Sequence, residues 1–393
     1  MIRYVDSLNP AAQRVFLRVD FNVPYDSAGR ILDDSRIQEA LPTIRYLLEK
    51  RARLILASHL GRPKGRDPAL SLLAIGEYLT AALGREVIFP ESSVGDAVRK
   101  LVHELKEGEV ILLENLRFHP EEEANDPLFS QKLASLADIY VTDAFGTLHR
   151  AHASTAGMVI HFKEKSAGFL IRKELETLGK LLSNPKRPFY AILGGAKVSD
   201  KIGVIENLLS RVDGLLLGGA LSYTFLAALG HDVGQSKVEK DKIYLAQKVL
   251  RRATERGVKI HLPVDHRVVF QLDREKPSPV EVVSQIRNDA MGVDIGPEAV
   301  AAYRKILQNA ETIFWNGPMG IFEIPPYAEG TFEIARAIAK PGITSVVGGG
   351  ESVTACKQAG VAPQITHLST GGGATLEYLE GKELPGLKAL EAT

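Results

Sequence analysis

The 393 residues include 48 basic and 48 acidic side chains, so the net formal charge is zero and favours neither nucleic acid nor an anionic membrane as partner. Hydrophobic residues make up 45% and charged residues 24%, as in an ordinary globular protein of two or three domains. The single cysteine, Cys356, excludes an intramolecular disulfide and favours a reducing compartment, so we expect a cytoplasmic protein. The longest charge-free run, residues 214–230, is too short and too glycine-broken to span a membrane.

The first half alternates apolar strands with amphipathic helices, a pattern that predicts a parallel sheet in an α/β fold. Four strand ends carry polar or basic side chains, within residues 15–24, 54–65, 110–122 and 139–154. The candidates are Asp20, Asn22, His59, Arg62, Arg117 and Arg150, with Arg36 from a loop. Each alone is typical of a solvated surface. Because ligands lie beyond the carboxyl ends of parallel strands, the repetition predicts one anion pocket.

Residues 169–184 place leucines near helical spacing and stop before Pro185, which predicts a helix. The spacing is equally consistent with a helix between two domains and with a helix inside one domain.

The stretch 191–209 predicts a strand, a turn at Gly194 and Gly195, and a helix that starts directly at the turn. Free N–H groups at a helix start favour an anion, and Lys197 and Lys201 add charge, so we expect polyphosphate there. Neither common phosphate-loop fingerprint is present, and an ordinary strand-to-helix turn is the alternative. Strand-then-glycine recurs in residues 215–220, 314–320, 345–352 and 367–375, which indicates one shared ligand face.

Residues 265–297 are less regular. The alternating runs RVVFQLD and PVEVVSQI predict a small antiparallel sheet, and MGVDIGP is interpreted as a loop that ends at Pro297, a good first helical residue.

The ordered motifs RVDFNVP, SHLGRPKG, ENLRFHPEE, DAFGTLHRAHAS, GGAKVSDKIG, WNGPMGIFE, GGGESVTA and STGGGATLEYLEGKELPGL resemble the phosphoglycerate kinase family over nearly the whole chain. The resemblance implies two Rossmann-like, doubly wound α/β lobes with mainly parallel sheets, joined by an interdomain helix. A triose-phosphate lobe would span residues 1–170 and include the tail 377–393, and a nucleotide lobe would span residues 171–376. It also implies a monomeric phosphotransferase that moves a phosphoryl group from 1,3-bisphosphoglycerate to ADP, giving 3-phosphoglycerate and ATP, with Mg²⁺ bound to the nucleotide.

The resemblance also implies roles for individual residues. Triose phosphate would be bound by Asp20, Asn22, Arg36, His59, Arg62, Arg117 and Arg150. Nucleotide would be bound by Lys197, Lys201, Gly292, Glu323, Gly349, Gly350, Glu351 and Ser352. Catalysis would rest on Arg36, Lys197 and the amides of Gly350 and Gly372. No catalytic base is expected, because a carboxylate acceptor carries no proton at neutral pH.

Glu351 departs from the family pattern, which has an aspartate, the metal ligand, at this position. Glutamate keeps the charge but adds a methylene group, while Mg²⁺ accepts ligand distances of only ~2.0 to 2.1 Å. Two other classes of protein are alternatives. A nicotinamide dehydrogenase should show a dinucleotide fingerprint, and a nonenzymatic nucleotide-binding module would leave the basic strand ends without a purpose.

Overall fold

The computed structural model describes residues 2–26 and 29–391. These residues form two compact units. Unit 1 comprises the described residues up to Glu176 and those from Glu383 onward, and unit 2 spans Thr177–Lys382. The boundaries expected from the sequence, after residues 170 and 376, each lie six residues before the divisions between these units, which fall after Glu176 and after Lys382.

Unit 1 is built on a six-stranded parallel sheet. Most of its strands are short apolar runs with largely buried side chains, as expected where helices cover a parallel sheet, whereas the strand at one edge has the sequence EKSA and an exposed first residue. The strands are β1 Arg14–Arg18, β2 Arg53–Ala57, β3 Val87–Ile88, β4 Val110–Leu112, β5 Ile139–Thr142 and β6 Glu164–Ala167. The helices between them are α1 Ser35–Glu49, α2 Leu73–Leu83, α3 Asp96–Glu104, α4 Pro120–Glu123 and α5 Pro127–Ala134.

The strand order in unit 1 is β3-β4-β2-β1-β5-β6. Strand β1 therefore pairs with β2 on one side and with β5 on the other, and the connections reverse direction between β1 and β5. Such a reversal opens a crevice at the carboxyl ends of the two strands, which is where open α/β sheets bind ligands. The loops after β1 and β5 are two of the predicted basic strand ends.

Helix α6, Phe169–Ser183, contains the division between the units, which falls after Glu176. Its first turn is held by Asp143, which follows β5, is fully buried, and accepts a hydrogen bond from the backbone N–H of Ile171 at 3.1 Å. Burial raises the pKa of Asp143 to about 7. The predicted helix is confirmed, and it is shared by both units.

Unit 2 repeats the architecture with strands β7 Phe189–Leu193, β8 Gly214–Leu217, β9 Lys259–His261, β10 His266–Val269, β11 Glu281–Val283, β12 Met291–Ile295, β13 Thr312–Asn316, β14 Thr344–Gly348 and β15 His367–Leu368. Its helices are α7 Ile202–Leu208, α8 Gly219–Ala228, α9 Ile243–Glu255, α10 Pro297–Leu307, α11 Glu329–Ile338, α12 Gly350–Gln358 and α13 Gly373–Leu379. The main sheet is parallel, in the order β15-β14-β13-β7-β8-β9. The connections between its strands reverse direction between β7 and β13. The predicted fold class is confirmed.

A second, antiparallel sheet in unit 2 has the order β11-β10-β12. Its first two strands confirm the small antiparallel sheet that the sequence predicts. The interpretation of MGVDIGP as a loop was wrong, because Met291–Ile295 pairs with β10 as the third strand. Gly292 and the buried Asp294 interrupt the apolar pattern by which such a strand is recognised. Pro297 does begin a helix, α10.

The final helix, α14 Pro385–Glu391, belongs to unit 1. The N–H of Gly386 donates to the carbonyl of Leu148 at 2.9 Å, and an added Cβ at Gly386 would lie 2.6 Å from Leu148 Cδ2. The close approach ties α14 to the loop that follows β5. Across residues 2–26 and 29–391, no helix combines the length and the apolar character required to cross a membrane.

Substituting Gly168, just before α6, should destabilise unit 1. An added Cβ would lie 2.3 Å from Cγ of the buried Asp143, so Gly168→Ala should cost ~1–3 kcal/mol of unfolding free energy. Gly179→Ala in the same helix is the control, since its Cβ would meet only Tyr378 Oη at 3.6 Å and should stabilise the helix by up to ~1 kcal/mol. Urea unfolding measures both, and a Gly168→Ala midpoint at or above that of the parent would contradict the steric conflict.

Candidate active site

The loops at the reversal point of unit 1 bring most of the predicted anion-binding residues together. Arg36, in the first turn of α1, donates from Nη1 to Oδ2 of the buried Asp20 at 2.8 Å. His59 lies on the other oxygen of this carboxylate, with Nδ1 3.8 Å from Asp20 Oδ1. One aspartate therefore orients Arg36 and lies beside His59, which comes from a different loop.

The loop after β2 is held by two more of the predicted residues. Asn22 Oδ1 accepts a hydrogen bond from the N–H of Gly61 at 2.9 Å, and Arg117 donates from Nη1 to the Gly61 carbonyl at 2.7 Å. Arg62 is the next residue and is exposed. Arg150 is half-buried, with Nε 3.3 Å from His149 Nε2. Asn22 and Arg117 thus have structural contacts here, while Arg62 lies at the surface.

A buried arginine that the sequence analysis missed supports this cluster. Arg18, the last residue of β1, is 1% exposed and donates from Nε to Ser154 Oγ at 2.8 Å, while its Nη2 lies 3.1 Å from His59 Nδ1. The Ser154 N–H donates to the fully buried carboxylate of Glu122 at 3.0 Å, which brings a compensating negative charge. The sequence signal for Arg18 was its position in an otherwise apolar strand, because a cation that is buried there requires polar partners.

The positive charge of the cluster comes from its arginines. Burial lowers the pKa of His59 well below its ordinary value, and Arg18, Arg117 and Arg36 lower it further. Burial also lowers the pKa of His152 to about 4, with Arg117 and Arg18 acting in the same direction. Both imidazoles are therefore neutral at pH 7, and the field that suppresses their protonation is the field that attracts an anion.

In unit 2, the loops after β7 and β13 cross at the reversal point in direct backbone contact. Gly194 N–H donates to the Asn316 carbonyl at 2.9 Å, and Gly195 N–H donates to the Pro318 carbonyl at 2.9 Å. An added Cβ on Gly194 would lie 2.1 Å from the Pro318 oxygen, so only glycine fits. The prediction that the glycine-ended strands share one face is consistent with this crossing.

A cavity of about 410 Å³ opens above the crossing. Its walls are largely apolar, from Ala220, Tyr223, Leu272, Met291, Val293, Met319 and Ile321. Four charged residues also line it: Lys237, Arg274, Glu323 and Glu351. Gly292 lines the wall against Tyr223. An apolar slot with charged groups suits a planar base joined to a sugar and phosphates.

Lys201 is held at this site by a residue that the sequence analysis did not single out. Its Nζ donates to Oδ1 of the buried Asn316, and Asn316 Nδ2 donates to the Gly348 carbonyl at 2.8 Å. Burial lowers the pKa of Lys201 to about 8, although Glu351 and Asp200 act to raise it. Asn316 lies in the FWNGPMG motif, so the motif was the available signal. The neighbouring Trp315 is fully buried and donates from Nε1 to the Gly317 carbonyl at 2.8 Å.

The helix predicted to start at Gly195 begins later, and that prediction was wrong. Helix α7 starts at Ile202 and has seven residues, so Lys201 precedes it and Lys197 lies exposed on the intervening turn. The N–H groups expected to be free for an anion are occupied, because those of Val198 and Ser199 donate to the carboxylate of Glu239. The site therefore does not depend on an N-terminal helix dipole at α7.

Helix α12 presents the remaining nucleotide candidates. Gly349 has φ +88° and lies against Asn316, where an added Cβ would be 2.8 Å from Nδ2. Gly350 begins the helix, and Ser352 Oγ is buried and accepts from the N–H of Gly317 at 2.6 Å. Glu351 is exposed in the first turn, and Gly372, with φ +53°, directly precedes α13.

A metal at this site would have few protein ligands. Within the described residues, no three histidine, cysteine, aspartate or glutamate side chains form a group that could hold a metal ion. Glu351 alone still fits Mg²⁺, which is commonly bound by one or two carboxylates together with substrate phosphates and water.

An arginine cluster in one α/β unit and an apolar, glycine-floored cavity in the other define a kinase of the nucleotide-dependent phosphotransferase class. The family model described as phosphoglycerate kinase matches residues 5–382. The chain belongs to the phosphoglycerate kinase family. It is 55% identical over 394 residues to the phosphoglycerate kinase of Anaeromyxobacter sp. strain K, covering 99% of each chain. It is 53% identical over 380 residues to that of Dictyoglomus turgidum, covering 96% of each.

Solved structures agree with this assignment. Phosphoglycerate kinase from Coxiella burnetii matches with a TM-score of 0.86 at 38% identity, over 99% of this chain and 98% of that one. The Pyrococcus horikoshii OT3 enzyme matches with a TM-score of 0.86 at 36% identity, over 100% and 98%. The predicted family, fold and enzyme class are confirmed, and the dehydrogenase alternative is not favoured.

The lowered pKa of Lys201 predicts that nucleotide affinity depends on pH, because Lys201 is expected to bind the nucleotide. Below about pH 8 the side chain is a cation, and above that pH it loses its charge. We expect the ADP dissociation constant of the parent to rise by up to ~10-fold per pH unit above 8. Lys201→Arg stays charged and should flatten the profile. Calorimetric titration measures both, and a flat parent profile from about pH 7 to 9.5 would contradict the prediction.

Proposed function

We propose that this chain catalyses the reversible transfer of a phosphoryl group between 1,3-bisphosphoglycerate and ADP, giving 3-phosphoglycerate and ATP. The observation that carries the proposal is that the family match covers both anion sites within one continuous span, residues 5–382. The basic cluster of unit 1 is suited to a small phosphorylated carboxylate, and the cavity of unit 2 is suited to a purine nucleotide.

In this proposal Asp20, Asn22, Arg36, His59, Arg62, Arg117 and Arg150 bind the triose phosphate. Guanidinium groups form paired hydrogen bonds to phosphate and carboxylate oxygens, and the contacts of Asp20, Asn22 and Arg117 with neighbouring loops support a pre-arranged set. Neutral His59 serves as a hydrogen-bonding group and supplies no charge. Arg62 binds from the exposed loop after β2.

The nucleotide is held by Lys201, Gly292, Glu323, Gly349, Gly350, Glu351 and Ser352. Gly292 and Glu323 line the cavity that would take the base and sugar, and Lys201 lies on Asn316 close to the phosphate end. The Ser352 hydroxyl already accepts a hydrogen bond from Gly317, so we assign its side chain to shaping the loop and its backbone N–H to phosphate.

Catalysis in this proposal is positioning and charge neutralisation. Arg36, Lys197 and the N–H groups of Gly350 and Gly372 stabilise the charge on the transferring phosphoryl group. No side chain removes a proton, because the carboxylate acceptor is already ionised at neutral pH. Glu351 would hold Mg²⁺ together with nucleotide phosphates, and the ion would supply further neutralisation of phosphate charge.

The same family membership supports a monomer that acts in the cytoplasm without nucleic-acid or membrane partners. The zero net charge and the single buried cysteine are consistent with this.

Arg36→Ala should abolish most turnover. Removing a charge from the transferring group costs ~10²-fold or more in kcat, while ADP binding in unit 2 should remain unchanged. Arg30→Ala is a matched control, because Arg30 pairs with Asp26 as Arg36 pairs with Asp20 but is 81% exposed. A coupled assay gives the rates and thermal unfolding confirms the fold. Turnover of Arg36→Ala within a factor of two of the parent would exclude the assigned role.

Glu351 should govern the magnesium dependence of the reaction. Glu351→Ala should lose most Mg²⁺-dependent activity, by ~10-fold or more, whereas Glu351→Asp should remain active because it keeps the carboxylate. Glu298→Ala is the control, since Glu298 is an exposed carboxylate in the first turn of α10 away from the cavity lining. Initial rates are measured against Mg²⁺ concentration. Superimposable curves for Glu351→Ala and the parent would leave Glu351 only a helix-dipole contact worth under ~1 kcal/mol.

A further inference from the structure

The turn that carries both candidate lysines of unit 2 is bound by one distant carboxylate. We call residues 196–201, the sequence AKVSDK, the phosphate turn. Glu239 lies in the segment between α8 and α9 and accepts hydrogen bonds from three groups of this turn. They are the N–H of Val198, the N–H of Ser199 at 3.1 Å and Ser199 Oγ at 2.7 Å. This contact fixes the middle of the turn, between Lys197 and Lys201.

The carboxylate of Glu239 is ionised. Partial burial acts to raise its pKa, but the hydrogen bonds from Ser199 and Val198 outweigh burial and leave the pKa below its ordinary value. Hydrogen bonds to an ionised acceptor are roughly twice as strong as bonds between neutral groups. The turn is therefore held by charge-assisted bonds, and an uncharged acceptor in the same place would hold it less firmly.

Val198 passes this restraint on to Lys201. Its N–H is bound by Glu239, and its carbonyl accepts the N–H groups of Lys201 and Ile202, both at 2.9 Å. The side chain of Val198 is fully buried. The orientation of Val198 thus sets both the start of α7 and the position from which Lys201 reaches Asn316.

The segment that bears Glu239 is itself anchored to the cavity wall. Ser236 Oγ accepts the N–H of Gly292 at 2.9 Å, and the Gln235 N–H donates to the Ala290 carbonyl at 2.8 Å. The N–H of Glu239 donates to Thr224 Oγ1, on α8, at 3.2 Å. Residues 235–239 therefore link β12, on the cavity wall, to the phosphate turn. These hydrogen bonds fix the position of the phosphate turn relative to the cavity wall.

We propose that Glu239 is a positioning residue for phosphoryl transfer, whose carboxylate holds the phosphate turn so that Lys197 and Lys201 meet the nucleotide phosphates. In this role Glu239 acts through the phosphate turn and not by contact with the substrate. This inference rests on the proposed function, because phosphoryl transfer is what requires the two ammonium groups to be accurately placed. The competing interpretation is that the carboxylate merely occupies N–H groups that the nucleotide phosphates would otherwise bind.

The test compares Glu239→Ala and Glu239→Gln with Asp241→Asn in the intact enzyme. The glutamine keeps an acceptor oxygen and removes only the charge. Asp241 is the matched control, since its side chain is 73% exposed and pairs with Lys242 at 2.8 Å, not with the turn. The measurements are kcat for the reaction of ADP with 1,3-bisphosphoglycerate, the KM for each of these two substrates, the ADP dissociation constant, and hydrogen exchange of the amides at residues 198 and 199.

The positioning role predicts a graded result. Glu239→Ala should lower kcat by ~10- to 100-fold, which is the scale of a small misplacement of catalytic groups, and should remove exchange protection at residues 198 and 199. Glu239→Gln should fall between the alanine variant and the parent. The KM for 1,3-bisphosphoglycerate should not change, and Asp241→Asn should match the parent in every measurement.

Three results would overturn the inference. A parent-like kcat for Glu239→Ala shows that the lysines do not need the carboxylate. A lower kcat with unchanged exchange protection shows that the effect does not pass through the turn. Tighter ADP binding by Glu239→Gln than by the parent shows that the carboxylate competes with phosphate. If the parent itself fails to convert 1,3-bisphosphoglycerate and ADP, the proposed function is wrong. If the parent is active and Glu239→Ala is equally active, only the positioning role is wrong.

Discussion

The reversal of strand order in each parallel sheet is the constraint on which both sites depend. Between β1 and β5 in unit 1, and between β7 and β13 in unit 2, neighbouring connections leave in opposite directions, and a crevice opens at the strand ends. The four strands at these reversals are mostly buried, so their sequences largely serve packing. The candidate site residues therefore lie mainly in the loops at one edge of each sheet, where polar groups can be presented without disturbing the core.

The two crevices use different chemistry to meet anions. In unit 1 the cations are side chains, and three of the arginines have a carboxylate nearby. Asp20 contacts the partly exposed Arg36, Glu123 lies 3.2 Å from the buried Arg117, and Glu122 reaches the buried Arg18 through Ser154. An unpaired buried charge costs free energy, so these carboxylates allow several arginines to lie close together. In unit 2 much of the surface around the cavity is formed by backbone, because glycines allow the loops after β7 and β13 to cross in close contact. This suits a ligand with an apolar base and a chain of phosphates.

The sequence predicted those features that local pattern determines. Buried parallel strands are continuous apolar runs, so their ends, and with them Asp20, His59, Arg117 and Gly194, could be found by inspection. Features set by distant contacts could not be found. The turn before α7 is held by Glu239, which lies 40 residues from Ser199. Strand β12 was missed because a glycine and a buried aspartate break its pattern, and Arg18 was missed because its partners come from other loops.

Trp315 gives unit 2 a built-in optical reporter. It is the only tryptophan in the chain, it is fully buried, and its indole N–H is bonded to Gly317 in the loop that crosses Gly194. Indole emission responds to the polarity and hydrogen bonding of its immediate surroundings. Since no second tryptophan contributes background, emission excited selectively at the indole reports on the loop that contributes Pro318, Met319 and Gly320 to the cavity lining, and a ligand that disturbs this loop can be detected without a label.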